Sequence, residues 1–215
     1  MASENPDDLA RALAALGSAT LGESGGKPMH PRIAAVWPGA AVAGPAFTVS
    51  CSTADNVAIH AAVAEAPPGS VLVVATDPPE RGYWGEVLTT AAEVRGIRGL
   101  VIDGGVRDVA ALEAHRFPVF SALIALPGAA KARGGEIGGA VRVGDADVHT
   151  GDWVVGDRDG VVVIARDELS DTLERARGRA AKETAMFAKL REGATTVELL
   201  GLNTASVTRP SPDAG

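Results

Sequence analysis

The stretch GLVIDGGVRDVAAL, residues 99–112, joins a buried strand to a pair of opposite charges. Its apolar start, GLVI, has the continuous hydrophobicity of a strand that is covered on both faces. The tripeptide DGG at 103–105 predicts a turn, and Arg107 and Asp108 stand directly before the start of a helical pattern. Because ligands of open α/β sheets bind beyond the carboxyl ends of the strands, this stretch predicts both an α/β sheet and a candidate site.

The elements on either side repeat the alternation of strand and helix. Apolar runs of strand length flank helical patterns throughout residues 71–121, which predicts parallel strands connected by crossover helices. Residues 141–165 contain short apolar runs separated by Gly-Asp and Asp-Gly pairs, which predict antiparallel strands. We predict strands at 40–52, 71–75, 99–103 and 117–121, and helices at 6–17, 57–66, 83–96, 109–115 and 167–192.

These patterns predict a single α/β domain with a central mixed sheet. Residues 1–40 are expected to form an N-terminal helix and loop, residues 41–165 the α/β core, and residues 166–202 a C-terminal helical arm. Residues 203–215, which are polar and contain Pro and Gly, are expected to be a disordered tail.

Composition and charge argue against several classes of function. The 215 residues carry a net charge of −7 with no basic run, which disfavours a nucleic-acid partner. Cys51 is the only cysteine, which excludes an intramolecular disulfide and is typical of a reducing cytoplasm. No apolar stretch approaches the ~20 residues of a membrane span, and the N-terminus lacks a signal-peptide pattern. We therefore expect a cytoplasmic protein that binds neither membranes nor nucleic acids.

A second charged stretch, RGYWGEVL at residues 81–88, opens the predicted helix that precedes GLVI. The first N–H groups of a helix have no intrahelical partner, and the helix dipole favours an anion beside them. The N–H groups of Gly85, Glu86, Val87 and Leu88 are therefore candidates to bind a carboxylate. The alternative is an ordinary helix start in which Glu86 complements the dipole.

Arg107 and Asp108 also have a structural interpretation, in which Asp108 caps the following helix and Arg107 lies on the surface. Gly104 and Gly105 favour a functional one, because two glycines allow a close approach that a plain turn does not require. Both charged stretches follow neighbouring strands of one predicted sheet, so they are expected to share a pocket. A carboxylate cradle, an arginine and two carboxylates together indicate metal-assisted chemistry on a small anionic oxo acid.

The C-terminal helix carries one apolar stripe with a polar exception, Glu183. Its carboxylate either reaches past the stripe to water or points into a site, which could belong to a neighbouring subunit. Other polar side chains have structural interpretations, with His60 as a satisfied packing residue rather than a ligand and Cys51 as a small strand residue. Turn residues are Asp152, Asp157 and Asp159, and no metal-site spacing relates His30, His115 and His149.

The run WGEVLTTAAEVRGIRGLVIDGGVRD at 84–108 resembles the class II 4-hydroxy-4-methyl-2-oxoglutarate aldolases, a family that also contains the non-catalytic regulator of ribonuclease E activity A. The spaced motifs G-[DE]-x-L and D-G-x-x-R-D make this resemblance specific. Further matches include GPAFTV at 44–49 and GDWVVGDRDGVVVI at 151–164, and the resemblance covers about residues 41–202.

The resemblance implies an α/β sandwich of the swivelling type, assembled as trimers or hexamers with active sites between subunits. It implies that Asp108 binds a Mg²⁺ or Mn²⁺ ion directly, that Glu86 holds it through water, and that Glu183 of a neighbouring subunit faces it. It further implies that Arg107 pairs with the pyruvyl part of the substrate and that the backbone amides of residues 85–88 bind the pyruvate moiety.

The implied reaction is retro-aldol cleavage of 4-hydroxy-4-methyl-2-oxoglutarate, or of 4-carboxy-4-hydroxy-2-oxoadipate, to pyruvate through a metal-stabilised enolate. Oxaloacetate decarboxylation passes through the same enolate and is an expected side activity. The presence of Asp108 favours an enzyme, because the non-catalytic relatives lose this acidic residue. Two alternatives stay open: a regulator that binds a ribonuclease, and a lyase acting on another 2-oxo acid, since residues 121–135 depart from the family pattern.

Overall fold

The computed structural model describes residues 5–208, and a curled mixed β-sheet forms its centre. The strands are β1 (Lys27–Pro28), β2 (Ala34–Ala35), β3 (Val42–Cys51), β4 (Val71–Ala75), β5 (Gly82–Trp84), β6 (Gly99–Val106), β7 (Val119–Ile124), β8 (Gly135–Ile137), β9 (Val141–Val143), β10 (Ala146–Val148), β11 (Trp153–Asp157) and β12 (Gly160–Ile164). The helices are α1 (Pro6–Gly22), α2 (Val57–Glu65), α3 (Glu86–Val94), α4 (Val109–His115), α5 (Leu169–Arg191) and α6 (Thr196–Leu200). The sheet order is β1-β12-β11-β3-β4-β6-β7-β2, with β5 beside β6 and β8 beside β3.

The middle of this sheet is parallel. Strands β3, β4, β6 and β7 pair in parallel, and α2, α3 and α4 lie in the connections between them. The antiparallel part follows later in the chain, where β11 pairs with β3 and β12 and β9 pairs with β10. The predicted α/β class with a mixed sheet is therefore confirmed.

Strand β4 shows why its sequence is apolar throughout. Leu72 and Val74 belong to a core that includes residues of α2, α3 and α4. Val71 and Val73 belong to a second core, which lies among strands of the curled sheet. Since alternate residues of a strand point to opposite faces, both faces of β4 are covered, and the predicted continuous apolar run follows from that burial.

Strand β6 continues through Gly104 and Gly105, where the sequence predicts a turn. It runs to Val106, and its neighbour on one side changes from β4 to β5 along its length, with Ala75 paired to Asp103 and Gly82 paired to Gly105. A Cβ on Gly105 would lie 2.5 Å from the carbonyl oxygen of Arg81. The glycines therefore make room for the incoming chain, and the predicted turn is wrong.

Helix α3 begins at Glu86, three residues later than predicted. Tyr83 and Trp84 belong to β5 instead, and both side chains are buried. The Trp84 indole donates a hydrogen bond to the hydroxyl of Thr89 at 2.7 Å. The delayed start leaves Gly85 as the residue that joins β5 to the helix.

Helix α1 is longer than predicted because Gly17 bends it rather than ending it. Gly17 has φ of 78°, and helical structure resumes after it. The Asp157 carboxylate accepts hydrogen bonds from the N–H and the hydroxyl of Ser18, at 2.7 and 2.6 Å. A turn residue of the sheet thus acts as the cap for the second half of α1.

The chain divides into two compact units, one up to Ala176 and one from Arg177 onward. The first contains the sheet, and the start of α5 contributes Leu173 and Ala176 to a core shared with α1. The second contains the rest of α5 and the helix α6. Residues 203–208 form no helix or strand, and residues 209–215 of the expected tail lie outside the described residues. None of the described helices has the length and apolar character needed to cross a membrane.

Candidate functional site

A pocket of about 150 Å³ lies beyond the carboxyl ends of the parallel strands. It is bounded by the start of α2, the junction of β5 and α3, the end of β6 and the loop after β7. Its lining residues include Asn56, His60, Gly85, Val87, Leu88, Arg107, Asp108, Gly128 and Lys131. The pocket unites the two charged stretches of the sequence at the place where α/β sheets bind ligands.

The Asp108 carboxylate lies at the N-terminus of α3 rather than at that of its own helix. Asp108 precedes α4 but makes no side-chain cap there. Instead its Oδ2 accepts a hydrogen bond from the Glu86 N–H at 3.1 Å. The interpretation of Asp108 as the cap of α4 is therefore wrong, and the first amide of α3 already has a carboxylate partner from the chain itself.

Arg107 lies beside this carboxylate, with its Nε 3.9 Å from Asp108 Oδ2. Its backbone N–H donates to the Trp84 carbonyl at 2.9 Å, which ties the end of β6 to β5. Two glycines pack against its side chain: a Cβ on Gly82 would lie 3.1 Å from Arg107 Cδ, and one on Gly128 would lie 3.3 Å from Nη1. About half of the side chain is nevertheless exposed, so the guanidinium is accessible to a ligand in the pocket.

Gly85 provides the space that Asp108 occupies. A Cβ on Gly85 would overlap the Asp108 carboxylate, whereas its φ of −167° is an extended value that any residue adopts. Val87 and Leu88 also line the pocket, and by position their N–H groups lack intrahelical partners. The structure thus brings the predicted cradle and the Arg-Asp pair together, and their roles stay a prediction.

The Glu86 side chain points toward His115. Glu86 Oε1 lies 3.8 Å from His115 Nε2, and Nδ1 of the same ring lies 2.8 Å from Glu93 Oε2. Sequence reasoning treated His115 as an isolated histidine. The contact was missed because the end of α4 meets α3 only after both helices have packed on the sheet.

The opposite wall of the pocket contains two polar side chains that sequence reasoning missed as candidates. Asn56 and His60 lie one helical turn apart at the start of α2, and both line the pocket. Asn56 Oδ1 and His60 Nε2 are buried without a hydrogen-bond partner among the described residues. The interpretation of His60 as a satisfied packing residue is therefore wrong. Because its neighbours in the sequence are apolar, the sequence pattern predicted a core position for His60 and not a place in the pocket lining.

A buried carboxylate fixes the loop that carries Lys131 on this wall. Asp55 Oδ2 accepts hydrogen bonds from the N–H groups of Ala132 and Arg133 at 2.5 and 2.9 Å, and Oδ1 accepts one from Val57 at 2.9 Å. Burial opposes ionisation of Asp55, but these N–H groups outweigh it and lower its pKa. One side chain thus holds both the start of α2 and the loop after β7.

Glu183 lies on α5 within the second unit, where its Oε1 is 2.9 Å from Arg179 Nε. Further along the same predicted stripe, Phe187 is half exposed. The ion pair with Arg179 shows one partner of the carboxylate in the single chain. That Glu183 faces the metal ion of a neighbouring subunit stays a prediction.

Other side chains considered from the sequence have structural partners. The Asp152 carboxylate accepts hydrogen bonds from the N–H groups of His149 and Arg166. Cys51 is half-buried at the end of β3, and burial, with a smaller contribution from Asp55, raises its pKa to about 12. A thiol with so high a pKa is a poor nucleophile at neutral pH.

The pocket combines Arg107 and Lys131 with one carboxylate, Asp108, so cationic side chains outnumber anionic ones around it. Such a lining suits a small anionic ligand. Within residues 5–208, no three His, Cys, Asp or Glu side chains are grouped closely enough to form a metal cage. The arrangement can therefore bind a carboxylate-bearing molecule and stabilise negative charge that develops on it.

Comparison with known proteins agrees with this architecture. The sequence model of the RraA-like family, described as Aldolase/RraA, matches residues 12–163. A protein of Halalkalibacterium halodurans, provisionally named 4-hydroxy-4-methyl-2-oxoglutarate aldolase, is 35% identical over 145 residues, which are 67% of this chain and 69% of that protein.

Solved structures show the same fold. An uncharacterized protein from Pseudomonas syringae pv. tomato superposes with a TM-score of 0.79 at 25% identity, over 91% of this chain and 93% of that one. The RNA-processing inhibitor RraA from Thermus thermophilis superposes with a TM-score of 0.60 at 24% identity, over 65% of this chain and 85% of that one.

Proposed function

The chain belongs to the RraA-like (Aldolase/RraA) family, and we propose that it is a divalent-metal-dependent lyase that releases pyruvate from a 4-hydroxy-2-oxo acid. The proposed substrate is 4-hydroxy-4-methyl-2-oxoglutarate or its 4-carboxy-4-hydroxy-2-oxoadipate relative, with oxaloacetate decarboxylation as a side activity. The working form would be a cytoplasmic homo-oligomer, a trimer or a hexamer. The aldolase name of the H. halodurans relative supports the reaction class.

The observation that carries this proposal is the Arg107–Asp108 pair at the N-terminus of α3. Arg107 presents a forked guanidinium that can pair with a carboxylate or an enolate oxygen. Val87 and Leu88 line the same pocket, and their N–H groups can donate hydrogen bonds to a carboxylate. The Arg107 guanidinium and these N–H groups would therefore stabilise negative charge in the same part of the pocket, where the reaction forms the enolate.

The residues fit a hydrated divalent cation. Mg²⁺ keeps several waters and is usually held by one or two protein carboxylates together with oxygen atoms of the substrate. Asp108 is about half exposed at the edge of the pocket and would hold the ion directly. Glu86, whose side chain lies beside His115, would turn toward the pocket to act through water. A bound ion would supply positive charge beside the keto oxygen and carboxylate of the substrate.

The chain's own residues would stabilise the negative charge that forms when the carbon–carbon bond breaks. Breaking the C3–C4 bond would leave its electron pair on the pyruvate enolate and a carbonyl group at C4. The C4 hydroxyl would give its proton to a water molecule in the pocket, and a proton from water would convert the enolate to pyruvate. Arg107 stabilises the developing enolate, and the amides of Val87 and Leu88 hold the carboxylate in place. Lys131, on the loop fixed by Asp55, adds positive charge on the other wall.

The test is pyruvate release in a coupled assay with lactate dehydrogenase. We expect release from 4-hydroxy-4-methyl-2-oxoglutarate and from oxaloacetate with Mg²⁺ or Mn²⁺, and its loss with a chelator. Asp108→Asn should reduce kcat/KM by roughly 10²-fold or more, because it removes a charge that acts on the reacting group. Asparagine tolerates the left-handed backbone of this position, so the variant should remain folded.

The exposed Asp159→Asn is the matched control, because it makes the same change in a turn between β11 and β12. Unchanged activity of Asp108→Asn would exclude the proposed site. A folded, metal-loaded protein that releases no pyruvate from either substrate would favour the second candidate, a regulator that binds a ribonuclease. That candidate has its support in the RraA members of the family.

A further inference from the structure

Two residues that line the pocket each bury a polar atom without a partner among the described residues, and the proposed function does not use them. Asn56 is only 5% exposed, yet its Oδ1 makes no hydrogen bond with the described residues, and neither does the buried Nε2 of His60. An unsatisfied buried polar group destabilises a protein by about 1–3 kcal/mol. Two such groups on one wall of a ligand pocket therefore need an explanation.

The orientation of the Asn56 amide is fixed by its surroundings. Its Nδ2 donates to the Tyr83 carbonyl at 2.8 Å, and a carbonyl accepts but cannot donate. The amide oxygen is therefore the atom that remains for the pocket. His60 follows one turn later, with its N–H 3.3 Å from the Asn56 carbonyl, which places the two side chains on the same face of the helix.

The imidazole is held in its neutral form. Burial, and then the nearby Lys131 ammonium, lower the pKa of His60 against the opposing charge of Asp55. Nε2 of a neutral imidazole donates when it carries the ring proton, and this is the tautomer that the site proposed below requires, whereas Asn56 Oδ1 is only an acceptor. One neutral donor beside one neutral acceptor matches a hydroxyl group, which can both donate and accept. A carboxylate fits less well, because its oxygen atoms and Asn56 Oδ1 are all acceptors and cannot form a hydrogen bond with one another.

We propose that Asn56 and His60 form a hydroxyl-recognition site that selects 4-hydroxy-2-oxo acids over oxo acids without the hydroxyl. The hydroxyl donates to Asn56 Oδ1 and accepts from His60 Nε2–H, while Arg107 and α3 bind the pyruvyl end. As a claim about a substrate, this inference rests on the proposed function. A site built to bond a hydroxyl discriminates strongly against the analogue that lacks it, because its own polar groups are then left unpaired.

The kinetic test compares the two pyruvate-releasing reactions in the same protein. Oxaloacetate carries a carboxylate at C4 in place of the hydroxyl-bearing carbon and so offers Asn56 Oδ1 no donor. Its turnover also reports on folding and on the enolate site. We expect His60→Leu to lower the ratio of kcat/KM for 4-hydroxy-4-methyl-2-oxoglutarate to that for oxaloacetate by roughly tenfold or more. His60→Gln, whose amide can donate from a similar position, should recover part of it. The exposed His149→Leu, the matched control, should leave the ratio at its original value.

A binding measurement makes the inference independent of turnover. Calorimetry with Mg²⁺ would compare citramalate with methylsuccinate, two dicarboxylates that differ by one hydroxyl group. Because any contact of the hydroxyl with the metal is common to all variants, the loss of preference for citramalate in His60→Leu reports on His60. Asn56→Ala tests the acceptor in the same way.

The outcomes separate the two claims. A ratio that does not change, together with an unchanged preference for citramalate, would overturn the hydroxyl-recognition site and leave the proposed lyase standing. A preference for citramalate that depends on His60 in a protein without turnover would support the recognition site and remove the lyase. An equal loss of both activities in folded His60→Leu, with the preference retained, would also overturn the recognition site.

Discussion

Asp108 adopts a backbone conformation that few residues with a β-carbon occupy, with φ of 59° and ψ of 36°. Aspartate is among the residues best tolerated there. The conformation accompanies a side chain that accepts from the Glu86 N–H of another helix instead of capping α4. Residues held in this region cluster at functional sites, where the surrounding structure stabilises them. The position of this carboxylate therefore depends on its neighbours, and Gly85 is the nearest of them.

Gly85→Ala tests that dependence. The added methyl group would overlap the Asp108 carboxylate and should displace it, although the backbone of residue 85 needs no glycine conformation. We expect kcat/KM for pyruvate release to fall by about 10²-fold, since a displacement of ~1 Å at a reacting group can have that effect.

Gly178→Ala on α5, where a Cβ would meet nothing within 4 Å, makes the same substitution away from the pocket and should retain activity. Normal turnover by a folded Gly85→Ala protein would show that the carboxylate does not need its present position.

The sequence allowed some of the pocket residues to be predicted but not others. Arg107, Asp108 and Gly85 stand at the ends of clearly apolar strands, so their shared pocket follows from the alternation of strand and helix. Asn56 and His60 could not be identified in this way, because their neighbours in sequence are apolar and their exposure to the pocket depends on a loop that returns more than 60 residues later.

Strand β6 shows what a single glycine pair contributes to an element. Composition predicted a turn at 103–105, because glycine pairs are most common in turns. In the fold, the same residues lie inside a strand and allow the chain around Arg81 to approach it closely. A local pattern cannot distinguish these cases, since the chain that approaches β6 comes from a different part of the sequence.

Gly105→Ala should destabilise the protein by about 1–3 kcal/mol, the usual effect of overpacking a buried position. Its Cβ would lie 2.5 Å from the Arg81 carbonyl oxygen and 2.7 Å from Ala125 Cβ, and backbone atoms cannot easily move away. The free energy of unfolding in urea is the measurement. Gly178→Ala should change it in the opposite direction, by up to about 1 kcal/mol, because alanine is the better helix former. Equal stability of Gly105→Ala and the unsubstituted protein would show that β6 can move aside.

Several carboxylates connect distant parts of the first unit. Asp103 accepts hydrogen bonds from Arg32 and from the Gly144 N–H, and Asp157 accepts two from Ser18. These links join the N-terminal region to the sheet and the sheet to the β9–β10 hairpin. The parallel order of the central strands could be predicted from sequence, whereas these links and the curl of the sheet could not, since neither has a periodic pattern.

The stability of the protein should therefore fall in acid. Burial opposes ionisation of Asp103 and Asp157, but hydrogen bonds from Arg32 and Ser18 outweigh it and lower both pKa values below their ordinary 3.8. The unfolded chain then binds more protons than the folded one in this range, so the stabilisation is present above about pH 4 and is lost as pH falls through the lower folded values.

Urea unfolding between pH 3 and 7 is the corresponding measurement. Asp103→Asn should flatten the acid side of the profile, and Asp167→Asn, at an exposed position, should leave the profile unchanged. An acid slope identical in Asp103→Asn and the unsubstituted protein would exclude Asp103 as a source of this dependence.

The hydrogen bond between Asp108 and the Glu86 N–H has a consequence for how selective the pocket is. With Asp108 in place on this amide, an entering carboxylate is left with the N–H groups of Val87 and Leu88, and it approaches them beside a fixed negative charge. A simple monocarboxylate such as acetate gains little there. Only a molecule that also pairs with Arg107 and reaches further into the pocket can offset the repulsion by Asp108, so the resident carboxylate discriminates against the commonest small anions.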